Sequence, residues 1–140
     1  MAHAVFCTVK TSGEATAVVD RLKAAGFTAN DISVLMPDNR GIGALAIPGV
    51  GPLIAAGPIM AALGGAALGG TAGGVTGALI GMGIPEYEAK RFEGELKGGR
   101  CLVSVHSEDS AETEQAEQIF EGFGGEDITT SREASETRRN

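Results

Sequence analysis

The amino-acid sequence predicts an α+β protein: a ferredoxin-like βαβ–βαβ sandwich with an inserted glycine-zipper helical hairpin and an extra helix between its second and third strands. Three observations carry this. A strand–helix–strand pattern occurs near the N-terminus and again near the C-terminus. The two copies align without a gap at an offset of 96. Between them, Gly41 to Pro85 is a run of 45 residues without a charge, in a chain of 140 that carries 11 Lys and Arg and 18 Asp and Glu. Fourteen of the 22 glycines fall in that run, so the overall hydropathy averages two unlike populations.

The first βαβ half spans 1–36. Ala4 to Val9 alternates as a strand, with Val5, Cys7 and Val9 on one face and Phe6 and Thr8 on the other. Ser12 is placed to cap a helix carrying Ala15, Val18, Val19, Leu22 and Ala25 on one stripe, and Gly26 ends it. Ile32 to Met36 is the second strand, stopped by Pro37, Asp38 and Asn39. The second half spans 100–130. Cys101 to Val105 alternates, Ser107 or Asp109 caps a helix with Ala116, Ile119, Phe120 and Phe123, and Asp127 to Thr130 is the last strand. At the offset of 96 the corner Gly26 to Ile32 falls on Gly122 to Ile128, sharing a Gly-Phe-x-x-x-Asp-Ile pattern. Residues 131–140 form a polar tail.

The insertion has two parts. Residues 37–84 read as a Gly/Ala-rich hydrophobic helical hairpin. Gly65, Gly69, Gly73, Gly77 and Gly81 recur every fourth residue, and the register extends back through Ala61 to Gly57. At helical pitch this is a strip without side chains, along which another backbone can approach closely. Each interior glycine costs roughly 1 kcal/mol against Ala, so close packing must return that amount. These seven positions are the expected oligomerisation surface. Residues 85–99 read as a connecting helix, with Pro85 in its first turn, Glu86 and Glu88 near its N-terminus, and Ala89, Phe92 and Leu96 on its apolar side. Glu86, Glu88, Glu93 and Glu95 read as a solvated face.

The two βαβ halves must meet on one side of any membrane, which excludes an odd number of crossings. Two crossings need about 20 residues each plus a turn. Pro48, Pro52 and Pro58 in the first half of the run oppose that.

Net charge −7 argues against nucleic acid as a partner, because phosphate binding needs clustered Lys and Arg. The N-terminus shows no basic segment followed by an apolar one, so a cytoplasmic location, with membrane association as the alternative, is the expectation. Cys7 and Cys101 lack a C-x-x-C spacing and read as reduced, core-facing thiols. Gly41-x-Gly43-x-x-Ala46 lacks the acid a dinucleotide site needs about 20 residues on. His3 and His106 fall on opposite faces of their strands and do not form a metal site. No catalytic residue, cofactor site or metal site is expected.

Three stretches carry a resemblance: Ala25-Gly26-Phe27 with Asp31 to Asp38, Gly43 to Pro58, and Gly83 to Gly94. They resemble the bacterial general stress / heat-induced stress protein (YflT-type domain) family, some of whose members are labelled low-temperature-induced. The likeness covers nearly the whole chain and implies a stress-associated protein, with no catalytic residues to carry over. Here the hydrophobic insertion is shortened: only Arg40, Gly41 and Ile42 separate Asn39 from Gly43. If the longer stretch of other members crosses a membrane, this shortening weakens the membrane reading. Three functional expectations stand side by side. One is a non-enzymatic structural protein that assembles with copies of itself through the hairpin. The second is a membrane-associated stress protein with the hairpin in lipid. The third is a ferredoxin-like small-ligand sensor.

Overall fold

The computed structural model describes residues 3–38, 45–47, 51–60 and 74–132. The elements run β1 (His3–Val9), α1 (Ser12–Ala24), β2 (Ile32–Pro37), β3 (Leu45–Ile47), β4 (Gly51–Ala56), α2 (Gly74–Gly81), α3 (Glu86–Lys97), β5 (Cys101–Ser107), α4 (Ser110–Gly122) and β6 (Glu126–Arg132). The strands form one antiparallel sheet in the order β3-β4-β2-β5-β1-β6. The fold is α+β, with two strand–helix–strand units as the repeated pattern requires.

The repeat is real in its capping chemistry, but its phase differs from the constant offset. Thr11, not Ser12, caps α1: its hydroxyl accepts from the Glu14 amide at 3.1 Å, and the Glu14 carboxylate accepts from the Lys10 amide at 3.0 Å. Asp109 caps α4 in the same way, accepting from the Glu112 amide at 2.9 Å while Glu112 accepts from the Glu108 amide at 2.8 Å. These reciprocal bonds satisfy amides at the helix start that have no intrahelical partner. Both helices end on a left-handed glycine, Gly26 at φ 110° and Gly124 at φ 73°. Each is followed by an amide bonded back into the helix, Phe27 to the Leu22 carbonyl and Gly125 to the Phe120 carbonyl. Caps and glycines thus correspond at an offset of 98, and only Ile32 and Ile128 keep 96. The second helix-to-strand connection is two residues shorter. Phe123 therefore sits in the α4 C-cap and is not the counterpart of Phe27.

One sheet face packs Val5, Cys7, Val9, Ile32, Val103 and Val105 against Ala15, Val18 and Leu22 of α1 and Ala116, Ile119 and Phe120 of α4. The opposite face, with Ala4, Phe6, Leu35, Leu53 and Leu102, is closed by the insertion: Ile59, then Val75, Ala78 and Leu79 of α2, Ile84, and Ala89, Phe92 and Leu96 of α3. Phe6 and Phe92 pack with ring centroids 6.2 Å apart. The protein has three layers, helices on both faces of the sheet. A sandwich with helices on one face alone does not describe it, because the apolar run folds back onto the second face.

The first half of the run departs from a helical hairpin. Residues 45–47 and 51–56 are strands that extend the sheet beyond β2, with Val34, Leu35, Met36 and Pro37 opposite Ala56, Ala55, Ile54 and Leu53. Pro52 has no amide to donate, but it lies opposite Ala46 of the edge strand β3, and pairing with β2 begins only at Leu53. Proline is tolerated at such a place and not inside a helix. The connecting helix is found as α3, with Pro85 as its N-cap residue, Ala89, Phe92 and Leu96 buried, and Glu86 paired to Lys90 at 3.2 Å.

Phe92 is wholly buried between α3 and the sheet. Phe92→Ala is expected to lower unfolding free energy by about 3–5 kcal/mol in denaturant titrations. A loss below about 1 kcal/mol would mean that α3 does not seat on the sheet.

Candidate functional site

The expected oligomerisation positions divide three ways. Ala61, Gly65, Gly69 and Gly73 lie outside the described residues. Gly57 does not belong to a helical strip: it lies in the turn after β4 at φ 90°, which a right-handed helix excludes. A Cβ there would stand 1.9 Å from the Ile32 carbonyl oxygen, so glycine is required by close approach to β2. Gly77 and Gly81 do lie on α2, one turn apart on one side.

The two sides of α2 differ. Val75, Ala78 and Leu79 are buried against the sheet layer, whereas Ile80 is 40% exposed. Among the described residues nothing lies within 4 Å of a Cβ built on Gly81. Met60, 49% exposed, is another large apolar side chain left to solvent. The helix is fixed in place from behind: Thr76 donates to the Glu93 carboxylate through its amide at 2.9 Å and its hydroxyl at 2.6 Å. Glu93 is therefore not part of a solvated face.

Beside Gly81 the C-terminal end of α2 borders a cleft of about 380 Å3, lined by Ala4, Asn30, Asp31, Ser33, Pro58, Met82, Ser104 and His106. Its floor is small because Ser33 and Ser104 face each other across β2 and β5, where the next pair on this face is Leu35 and Leu102. The polar groups are largely committed. The Ser33 hydroxyl accepts from the Ile59 amide at 3.1 Å. Asp31 accepts from the Thr28 amide and hydroxyl at 3.2 and 3.0 Å. His106 Nε2 lies 2.8 Å from Glu108. As strand alternation requires, His106 shares the Phe6 face and His3 the Val5 face.

A second group of polar side chains was not legible in the sequence. Glu95 turns inward from α3 and accepts from the Thr8 hydroxyl at 2.5 Å, while Thr8 accepts from Arg100 Nε at 3.3 Å. Arg100 also lies 3.6 Å from Glu95 and 3.3 Å from Glu126, and Arg91 lies 3.7 Å from Asp127. Burial pushes the Glu95 carboxyl above its ordinary value, and a hydrogen bond to Asp127 adds to the rise. The sequence signal was Thr8, a hydroxyl in a strand buried on both faces, which needs a partner from the layer above.

Cys7 and Cys101 are free, buried thiols. Burial raises Cys7 to about 12 and also raises Cys101, so neither is a thiolate nucleophile at neutral pH. Among the described residues no group of three or more His, Cys, Asp and Glu is placed to hold a metal ion, and no helix is long and apolar enough to cross a membrane.

Comparison with protein-family models, with curated proteins and with solved structures returns no match to this chain.

Two measurements check this geometry. Gly57→Ala forces a left-handed alanine against the β2 backbone and is expected to cost about 2 kcal/mol or more; an unchanged denaturation midpoint would reject the contact. An aromatic disulfide reagent at pH 8 should leave the native protein unmodified and titrate two thiols per chain in guanidinium. Rapid reaction of the native protein would contradict the burial of both.

Proposed function

We propose that this chain is a non-enzymatic, stress-associated structural protein that assembles with copies of itself through the glycine-bearing side of α2. The observation that supports it most is the asymmetry of that helix. Val75, Ala78 and Leu79 already serve the sheet layer, and Gly81 faces open space among the described residues. A glycine costs about 1 kcal/mol relative to Ala in a helix. A strip of them on the outward side repays that cost only where another backbone packs closely. The central strands run β2-β5-β1-β6 with α1 and α4 on one face, which supports reading the two βαβ units as a ferredoxin-like sandwich carrying the glycine-zipper insertion. The resemblance to bacterial general stress proteins is the ground for the stress association.

The structure narrows what is left for a partner. Much of the apolar run is used within the chain, since Leu53, Ile59, Val75, Leu79 and Ile84 are core residues. Among the described residues the surface left to another copy is therefore one side of α2. Gly81→Leu separates the two roles, because a Cβ at that position has nothing within 4 Å among the described residues. Light scattering in detergent-free buffer is expected to show a homo-oligomer for the parent and smaller species for Gly81→Leu, with circular dichroism unchanged. A stable monomeric parent, or an identical size distribution for the variant, overturns the proposal.

Two other readings give different outcomes. A lipid-inserted hairpin predicts co-flotation with liposomes. A small-ligand sensor, for which the cleft beside Gly81 is the supporting observation, predicts a ligand-induced thermal shift that Ser104→Leu abolishes.

A further inference from the structure

The cleft beside Gly81 is built on four polar side chains of the sheet. Ser33 and Ser104 stand opposite each other across β2 and β5. The His106 amide donates to the Asp31 carbonyl at 2.8 Å, which carries that pairing one step past Ile32. Strand alternation then puts Asp31, Ser33, Ser104 and His106 on one face as a four-cornered patch, and all four line the cleft. Both serines are only 2% exposed. Ser33 is used, since its hydroxyl oxygen accepts from the Ile59 amide at 3.1 Å. The Ser104 hydroxyl makes no hydrogen bond to any described residue. Buried hydroxyls nearly always have a partner, and this one is turned to whatever fills the cleft.

The walls select the charge of an occupant. Among the described residues no Lys or Arg lines the cleft, whereas Asp31 does. Oδ2 of Asp31 accepts from the Thr28 amide and hydroxyl, which fixes the carboxylate in place. Its charge has no ion-pair partner among the described residues. Glu108, 2.8 Å from the His106 ring, adds a second acidic group beside the cleft. The last turn of α2 acts in the same sense. Gly81 and Met82 border the cleft, and a helix C-terminus carries partial negative charge that favours cations within its last turn. An anionic ligand would meet repulsion from Asp31 and find no cation to offset it.

We infer that this cleft binds a small organic ammonium ion, with its charged head between Asp31 and Ser104 and its apolar body along Pro58 and Met82. Asp31 and Ser104 are diagonal neighbours on the patch, and such positions stand about 7–8 Å apart. One ammonium group spans that gap by donating to both side chains. It has three donors and no acceptor, so the Asp31 carboxylate and the Ser104 oxygen accept from it. The volume of about 380 Å3 sits at the small end of ligand pockets, which run from about 300 to 1,000 Å3. The occupant is therefore a compact amine and not a nucleotide or a lipid. This inference rests on the small-ligand reading of the cleft and is independent of self-assembly through α2.

The test is ligand-observed saturation-transfer NMR on the full chain at constant ionic strength, with three probes of one size: butylammonium, butanol and butyrate. Butylammonium is expected to bind saturably and more tightly than butanol, and butyrate not at all. Asp31→Asn keeps an oxygen for Thr28 and removes the charge; it should weaken butylammonium about fivefold, as loss of a partly exposed ion pair does, and leave butanol unchanged. Ser104→Ala removes the hydroxyl alone and should weaken butylammonium about two- to tenfold; it serves if Asp31→Asn does not fold. Butanol or butyrate binding as tightly as butylammonium in the parent, and lost in Ser104→Leu, keeps a ligand cleft but overturns the ammonium assignment. Butylammonium binding that neither Asp31→Asn nor Ser104→Ala weakens lies elsewhere and also overturns it. Absence of saturable binding by all three probes overturns the inference together with the small-ligand reading of this cleft.

Discussion

Strands β1 and β5 have almost no solvated face. From Ala4 to Val9 and from Cys101 to Val105 every residue is buried, so both sides of the central sheet must be covered for the chain to fold. The helices of the two βαβ units cover one side. The other exposes Phe6, Leu35 and Leu102, and each such side chain gains roughly 1.5–3 kcal/mol from burial. The insertion between β2 and β5 supplies that cover, and the remaining features of the chain follow from its having to leave the sheet and return across it.

That requirement explains two features that composition alone makes look alike. Leu53, Ile59, Val75, Ala78, Leu79 and Ile84 belong to the core, while Gly81 lies on the side of α2 turned from it. An uncharged run can therefore complete a core with one side of a helix and carry glycines on another. The same geometry accounts for Glu93 and Glu95. A helix lying on a sheet turns its flanks, as well as its central stripe, toward neighbours, and carboxylates on those flanks meet Thr76 on one side and Thr8 on the other.

Several elements were readable without the structure because the cues are local. Hydrophobic alternation places β1, β2 and β5, the helical stripe places α1 and α4, and Pro85 with Gly98-Gly99 brackets α3. Others depart from the local pattern for definite reasons. Ser12 reads as a cap by its hydroxyl, but Thr11 carries one too, and the extended backbone at Thr11 makes it the cap. The offset of 96 followed sequence identities through a corner where two residues are missing, which moved the helix ends while leaving Ile128 in place. Residues 45–47 and 51–56 read as part of a helical hairpin and fold as strands, because an apolar run lacking charges carries no periodicity that distinguishes strand from helix. The prolines in it were the available sign.

By itself the sequence determined the α+β class, the duplicated βαβ frame, the core faces of its helices and the glycines at every fourth position. All of these depend on residues near one another along the chain. Only the tertiary structure decided that the apolar run closes the second sheet face, that Gly57 serves a turn against β2 while Gly81 faces open space among the described residues, and that Thr8, Glu95, Arg100 and Glu126 meet. Those are contacts between residues as many as 118 positions apart, Thr8 to Glu126, and no local pattern encodes which side of a helix will find the sheet.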